Sequence, residues 1–340
     1  MDVNVTVCSR LVCFVTLLFL PGVAGADEQS LPPGGQPVEV ACGVFLGNLS
    51  AIAERSETFN ADLYLSFRWR DARLAFVGDE PKRFLEESAV EQLKQMWWPE
   101  IEFVNTAAPE VTNRALEISP DGSVRYELGV TGDFRADLDL RRFPFDRQTL
   151  AVRIQSFIWT VDQMVFVRDP TRIGFNPEHT FEGVSVTRLT TDVARRRIPG
   201  WTTADSYSEF AASIDVKRSA TFYVWTVFTP IVLIFLISCT GFIVPIKDFS
   251  DRIGISLTAL LACVATQFAM SFTLPQIPYL TVIDWSFVIT YGCIALGVLV
   301  STMQATLLRD PPDRAERINR LAGFGLPVLF LLLIALCVIL

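Results

Sequence analysis

Charge, histidine and basic patches are scarce in this sequence. Only 19% of its 340 residues are charged and 51% are hydrophobic, a balance too apolar for an ordinary soluble domain. Acidic residues outnumber basic ones, 37 to 29, and no basic stripe exists to neutralise phosphates, which argues against nucleic acid as a partner. His179 is the only histidine and, near Pro177 and Glu178, reads as a loop residue. Acid–base chemistry would therefore need carboxylates, and no carboxylate pair has distinctive spacing. A nucleophile elbow, a phosphate-cradling glycine loop and an HExxH helix are all missing, so the sequence argues against an enzyme and implies no cofactor. Cysteine is not rare, but it is ill placed for pairing. Of the 7, Cys8 and Cys13 lie in the leading segment and Cys239, Cys263, Cys293 and Cys337 in apolar runs. Only Cys42 remains between them, which excludes an intradomain disulfide, and no Cys/His spacing suits a metal. Internal repeats, low-complexity tracts and long linkers are also missing.

Apolar residues are abundant but uneven. The stretch 27–218 is mixed and polar, and nearly everything after Thr221 is apolar. The leading residues have the form of a signal peptide over 1–26. Arg10 precedes an apolar run from Leu11 to Leu20, Pro21 and Gly22 break it, and Ala24-Gly25-Ala26 offers a small-residue cleavage site. That run is shorter than the ~20 residues a membrane span needs. Four longer runs follow, at about 223–244, 250–274, 282–308 and 321–340. At ~1.5 Å per residue each can cross ~30 Å of hydrocarbon. Lys247 and Arg252 mark the first connection, and Arg309, Arg314, Arg317 and Arg320 the third, while Pro275 to Thr281 has no Lys or Arg. The positive-inside rule puts the two basic connections in the cytoplasm and residues 27–218 outside.

A helix facing only lipid should be apolar all round, and the second run is not. Asp251, Gly254, Thr258, Leu261, Ala265, Phe268 and Phe272 share one helical face. That face is acidic at the cytoplasmic end, then small and hydroxylic, then apolar. It suits a pore, with an acidic ring for selectivity and apolar rings that gate by dewetting. One helix cannot enclose a pore, so several chains would surround an axis. It equally suits packing, with Gly254, Ser256 and Ala265 allowing close helix contact.

Residues 27–218 alternate with period two. Leu63, Leu65, Phe67 and Trp69 alternate with Tyr64, Ser66, Arg68 and Arg70, and Leu150, Val152 and Ile154 with Ala151, Arg153 and Gln155. Pro120-Asp121-Gly122 and Pro199-Gly200 punctuate the region as turns, so many short strands predict a β-sandwich, with one helix from Glu86 to Met96. The fold expected is an all-β extracytoplasmic sandwich (27–218) followed by an all-α four-helix transmembrane domain (219–340).

At Phe143-Pro144-Phe145-Asp146-Arg147-Gln148 the sequence resembles the pentameric ligand-gated ion channels, the Cys-loop receptor superfamily. Animal members close a loop around this motif with a disulfide. The matching positions here are Ala136 and Leu150, as in the prokaryotic branch. Further likeness lies in Trp97-Trp98-Pro99-Glu100-Ile101-Glu102-Phe103, in Arg218 before the first span, and in Leu274-Pro275-Gln276-Ile277-Pro278-Tyr279. The run Tyr279 to Asp284 is similar to that of the amine-gated Erwinia-type members.

The resemblance implies a homopentamer in the bacterial inner membrane, conducting inorganic ions past the second span and opened by a small-molecule agonist or a pH signal. It puts Asp251 in a cation-selective ring and Leu261 in the mid-pore apolar ring. It implies an aromatic agonist site between subunits, with Tyr64 on the complementary side and Phe157, Tyr207, Trp201, Glu102, Phe103 and Asn105 on the principal side. Two residues before Phe157 the amine-gated relatives carry a carboxylate, but this chain has Gln155, which cannot make the same charge-assisted contact to ammonium. The resemblance also implies gating through Phe143, Pro144, Phe145, Asp146, Arg218, Pro275 and Pro278, with Glu54 or Glu57 completing an Asp146–Arg218 cluster. An anion-conducting member and a non-conducting membrane-anchored binding module are the alternatives to a cation channel.

Overall fold

The computed structural model describes residues 31–34, 36–177, 181, 183–197, 206–272, 277–307 and 312–339. The expected signal peptide, His179, Trp201 and Pro275 lie outside them.

Among the described residues, ten strands build the outer domain. β1 (Val38–Ala53), β2 (Thr58–Arg70), β3 (Lys82–Leu85), β5 (Glu110–Ile118), β6 (Ser123–Arg135) and β8 (Met164–Phe175) form a six-stranded sheet in the order β3-β5-β6-β2-β1-β8. β4 (Ile101–Phe103), β7 (Arg147–Thr160), β9 (Val184–Arg196) and β10 (Tyr207–Arg218) form a second sheet in the order β4-β7-β10-β9. The inward residues of the two sheets make the core. Leu63, Leu65, Phe67 and Trp69 of β2 are buried in it, as are Leu150, Val152 and Ile154 of β7 and Phe210, Ala212 and Ile214 of β10. Each large side chain buried in this way contributes ~1.5–3 kcal/mol, which fixes strand register because a one-residue slip would turn the whole row outward. The predicted helix is shorter than expected. α1 covers Glu87–Leu93, and the chain then turns to bury Met96 and Trp97.

Four apolar helices follow, at Thr221–Phe242, Phe249–Met270, Val282–Leu307 and Pro312–Ile339. The first contains a π-turn at Val224–Phe228, just ahead of Pro230. The backbone N–H of Thr229 there donates to Val224 O, so the ladder skips a residue where the proline has no donor. The second helix ends at Met270, short of the expected Leu274. The fourth begins at Pro312, not Leu321. Proline is well suited to a first helical turn, and the arginine-bearing turns that follow are polar enough to be hydrated outside the hydrocarbon.

Candidate functional site

The second span has two distinct faces. Arg252, Ser256, Ala259 and Cys263 are buried against the other helices. Asp251, Gly254, Thr258, Leu261, Ala265, Phe268 and Phe272 are all exposed along the opposite side. Ser256 therefore belongs to the packing face, whereas Gly254 and Ala265 belong to the open one. Leu261 and Phe268 are 69% and 66% exposed, too much apolar surface for a row merely brushing a neighbouring helix of the same chain. The Thr258 hydroxyl donates to Gly254 O at 2.8 Å, which satisfies its hydrogen while leaving oxygen lone pairs on the open face. Phe268 and Phe272 meet edge to face at 5.1 Å.

The junction between sandwich and helices is built on one arginine. Arg218 ends β10 and is 7% exposed at its side chain. Its Nε donates to Asp146 Oδ1 at 2.8 Å and its Nη2 to Oδ2 at 3.4 Å, while Nη1 reaches Glu54 Oε1. Burial works against the charged guanidinium, but the hydrogen bond and charge of Asp146 and the charge of Glu54 outweigh it and hold its pKa above the ordinary value. The Phe143 ring covers Arg218 at 4.8 Å and packs on Tyr223 of the first span at 4.7 Å. Phe145 packs on Phe228 at 5.8 Å. Glu57 stays out of the cluster. It sits at φ 52° in the β1–β2 turn, where its carbonyl accepts from Ala136 N. Pro278 is exposed. Its neighbour Tyr279, which the sequence reading did not assign to coupling, makes the contact instead. Its hydroxyl accepts from Leu140 N at 3.1 Å and Arg141 covers its ring at 4.9 Å.

The predicted ligand residues separate onto two sheets. Tyr64 lies on β2, 54% exposed, and opens a cavity of about 560 Å3 with Phe45, Ser66, Glu127 and Arg172. Glu127 and Arg172 are ion-paired across it. The strand alternation that exposes Tyr64 could have suggested Glu127, but Arg172 reaches the cavity only through the parallel pairing of β8 with β1. Glu102, Gln155 and Glu209 sit opposite one another across β4, β7 and β10 in the second sheet. Gln155 and Glu209 are buried, and the Gln155 Nε2 has no hydrogen-bond partner among the described residues. Glu209 is held by Arg196 at 3.2 Å. It was missed in the sequence, although it alternates with the inward Phe210 and Ala212. Tyr207 pairs with Thr160 and Arg196, and Phe157 is half-buried. Phe103 packs inward on Phe134 at 6.1 Å. Asn105 spends its amide on the backbones of Arg135, Ala151 and Arg153, which pins the end of β4. Glu102 is the member of that segment that faces out. Close by, Glu100 sits at φ 45°, its carboxyl pushed above the ordinary range by burial and by the charge of Glu102.

Comparison with known proteins places this arrangement. Residues 25–220 match the family described as neurotransmitter-gated ion-channel ligand binding domain. The chain is 28% identical over 322 residues to a proton-gated ion channel of Gloeobacter violaceus, covering 93% of this chain and 87% of that one. It is 28% identical over 275 residues to the gamma-aminobutyric acid receptor subunit beta-4 of Gallus gallus, covering 79% of this chain and 55% of that one. It is 27% identical over 259 residues to the theta subunit of the same receptor class from Mus musculus, covering 74% of this chain and 39% of that one.

Proposed function

Because the chain belongs to the neurotransmitter-gated (Cys-loop) ion-channel family, a family of ligand-gated channels and not of enzymes, we propose that five copies form a cation-conducting pore in a bacterial inner membrane. Four apolar helices carry the chain across the bilayer several times. The observation that carries the proposal is the open face of the second span, exposed from Asp251 to Phe272 while the opposite side is buried. Five such faces around an axis would give an acidic ring at the cytoplasmic mouth, hydroxyls above it, and dewetting rings of Leu261 and Phe268. The outer domain and the C-terminus face outward in this reading, with 1–26 removed as a signal peptide.

The agonist signal is a positive charge, carried by an organic cation or by a proton. Gln155 cannot supply the carboxylate of the amine-gated relatives, but the exposed Glu102 sits opposite it on the neighbouring strand. The half-buried aromatics Phe157 and Tyr207 add cation–π attraction from the principal side. Tyr64 and its cavity face them from the next subunit. The Tyr279 to Asp284 run supports an Erwinia-type likeness, and the proton-gated relative supports a pH signal. An agonist and pH screen on oocytes expressing the full chain tests this, with reversal potentials read under a potassium chloride gradient. A reversal potential that follows the potassium gradient is expected. One that follows chloride would overturn cation conduction, and no current under any condition would leave a membrane-anchored binding module.

A further inference from the structure

Asp251 and Arg252 are neighbours in sequence, but their side chains have opposite fates. Asp251 is exposed, and Arg252 is 1% exposed. The Arg252 guanidinium is held by three other helical segments. Nε donates to Gly241 O at 2.8 Å at the end of the first span, Nη1 to Gln304 Oε1 at 2.7 Å on the third, and Nη2 to Asn319 Oδ1 on the fourth. Phe242 covers it at 5.3 Å, and the Asn319 amide donates to Phe242 O at 2.8 Å, which fixes Asn319 with its oxygen towards the arginine. Gln304 is fully buried, and its Nε2 has no partner among the described residues. Its amide is therefore anchored through its oxygen, on Arg252. None of these acceptors is a carboxylate, and Arg252 is in no ion pair among the described residues.

Burying a cation against neutral acceptors alone is costly, and a packed apolar side chain would hold four helices together at lower cost. The arrangement does have one electrostatic effect. It withdraws a positive charge from the mouth that Asp251 faces. We propose that Arg252 is a positioning residue for ion selectivity, held off the permeation path by Gly241, Gln304 and Asn319. Gln304 and Asn319 then set selectivity from helices that do not carry the open face. This rests on the reading of the second span as the pore helix. If either acceptor is lost, the guanidinium has a free donor and its long stem can turn to water beside Asp251, where it opposes cation entry.

The test uses the full chain in oocytes and reads cation-to-anion permeability ratios. Asn319→Leu and Gln304→Met are each expected to lower the ratio severalfold, although neither touches the open face. Asn319→Asp keeps an acceptor of the same shape and is expected to leave the ratio at or above that of the unmodified chain. In an Arg252→Gln background there is no charge to release, so Asn319→Leu is expected to have no effect on the ratio. An unchanged ratio in both Asn319→Leu and Gln304→Met overturns the inference. So does an Asn319→Asp ratio as low as that of Asn319→Leu, which would mark a packing role. The parent reading fails separately, when Asp251→Ala leaves the ratio unchanged.

Discussion

Arg218 and Arg252 stand at opposite ends of the membrane bundle, both withdrawn from solvent, in contrasting company. Arg218 faces two carboxylates, Asp146 and Glu54, and one of them grips it with both oxygens. Arg252 faces a backbone carbonyl and two side-chain amides. The first arrangement gives the guanidinium its counter-charge and ties the end of the sandwich to the start of the first span. The second ties four helices while leaving a net positive charge inside the protein. A paired guanidinium acts as a mechanical link. An unpaired one still projects a field, and its position matters for any ion passing nearby.

The largest expected effect comes from breaking the outer link. Arg218→Ala leaves the buried Asp146 and the half-buried Glu54 without a counter-charge, and breaking a buried pair of this kind costs ~3–5 kcal/mol. Agonist-evoked current is expected to disappear while agonist binding and surface expression persist. Arg218→Lys is expected to stay far below the unmodified chain, since an ammonium cannot make the two-pronged contact. Near-normal lysine currents at matched surface expression would reduce Arg218 to a headgroup anchor, and the contrast with Arg252 would collapse.

Removing the exposed charge beside Arg252 comes next. Asp251→Ala is expected to lower cation preference strongly, because Asp251 is the acidic residue of that helix's first turn and is exposed. Permeability ratios unchanged in that variant would take Asp251 out of the filter. Between the two ends, Leu261→Ser should hydrate the narrow ring and favour opening. A leftward shift of about tenfold in agonist or proton sensitivity corresponds to ~1.4 kcal/mol of gating free energy. Poor assembly, with neither leak nor increased sensitivity, would show Leu261 to be a packing residue.

The smallest effect is expected at Glu100, in the outer domain. Its carboxyl is pushed above the ordinary range by burial and by Glu102, so the folded domain holds that proton more tightly than the unfolded chain does. The stability it contributes is complete below the ordinary carboxylate pKa and is lost as pH rises through the folded value. Glu100→Gln should flatten this part of the pH dependence of outer-domain melting. An unaltered pH profile in thermal scans would remove Glu100 from the account.

Much of this was legible before any coordinates. Apolar run length marks four spans because a bilayer admits only helices of that length. Period-two alternation marks the sandwich, and it also exposes Tyr64, since strand side chains must alternate. Helical spacing groups Asp251 to Phe272 on one face of the second span, but whether that face is open or packed is decided by the tertiary structure. Asp146 and Arg218 were legible only through the family motif. Elsewhere local pattern could not choose. Nothing in spacing prefers Glu54 to Glu57, and the left-handed turn at Glu57 decides it. Phe103 and Asn105 carry residue types suited to binding, but one packs inward and the other is consumed by backbone.

The sequence by itself determined the elements and their faces, because these depend on neighbours within a turn of helix or a pair of strand residues. Only the tertiary structure decided which charges meet. Arg252 finds its acceptors 11, 52 and 67 residues away, and Arg218 finds its carboxylates 72 and 164 residues away. Contacts at such separations are set by how helices and sheets pack, and that depends on the whole chain rather than on any window of it.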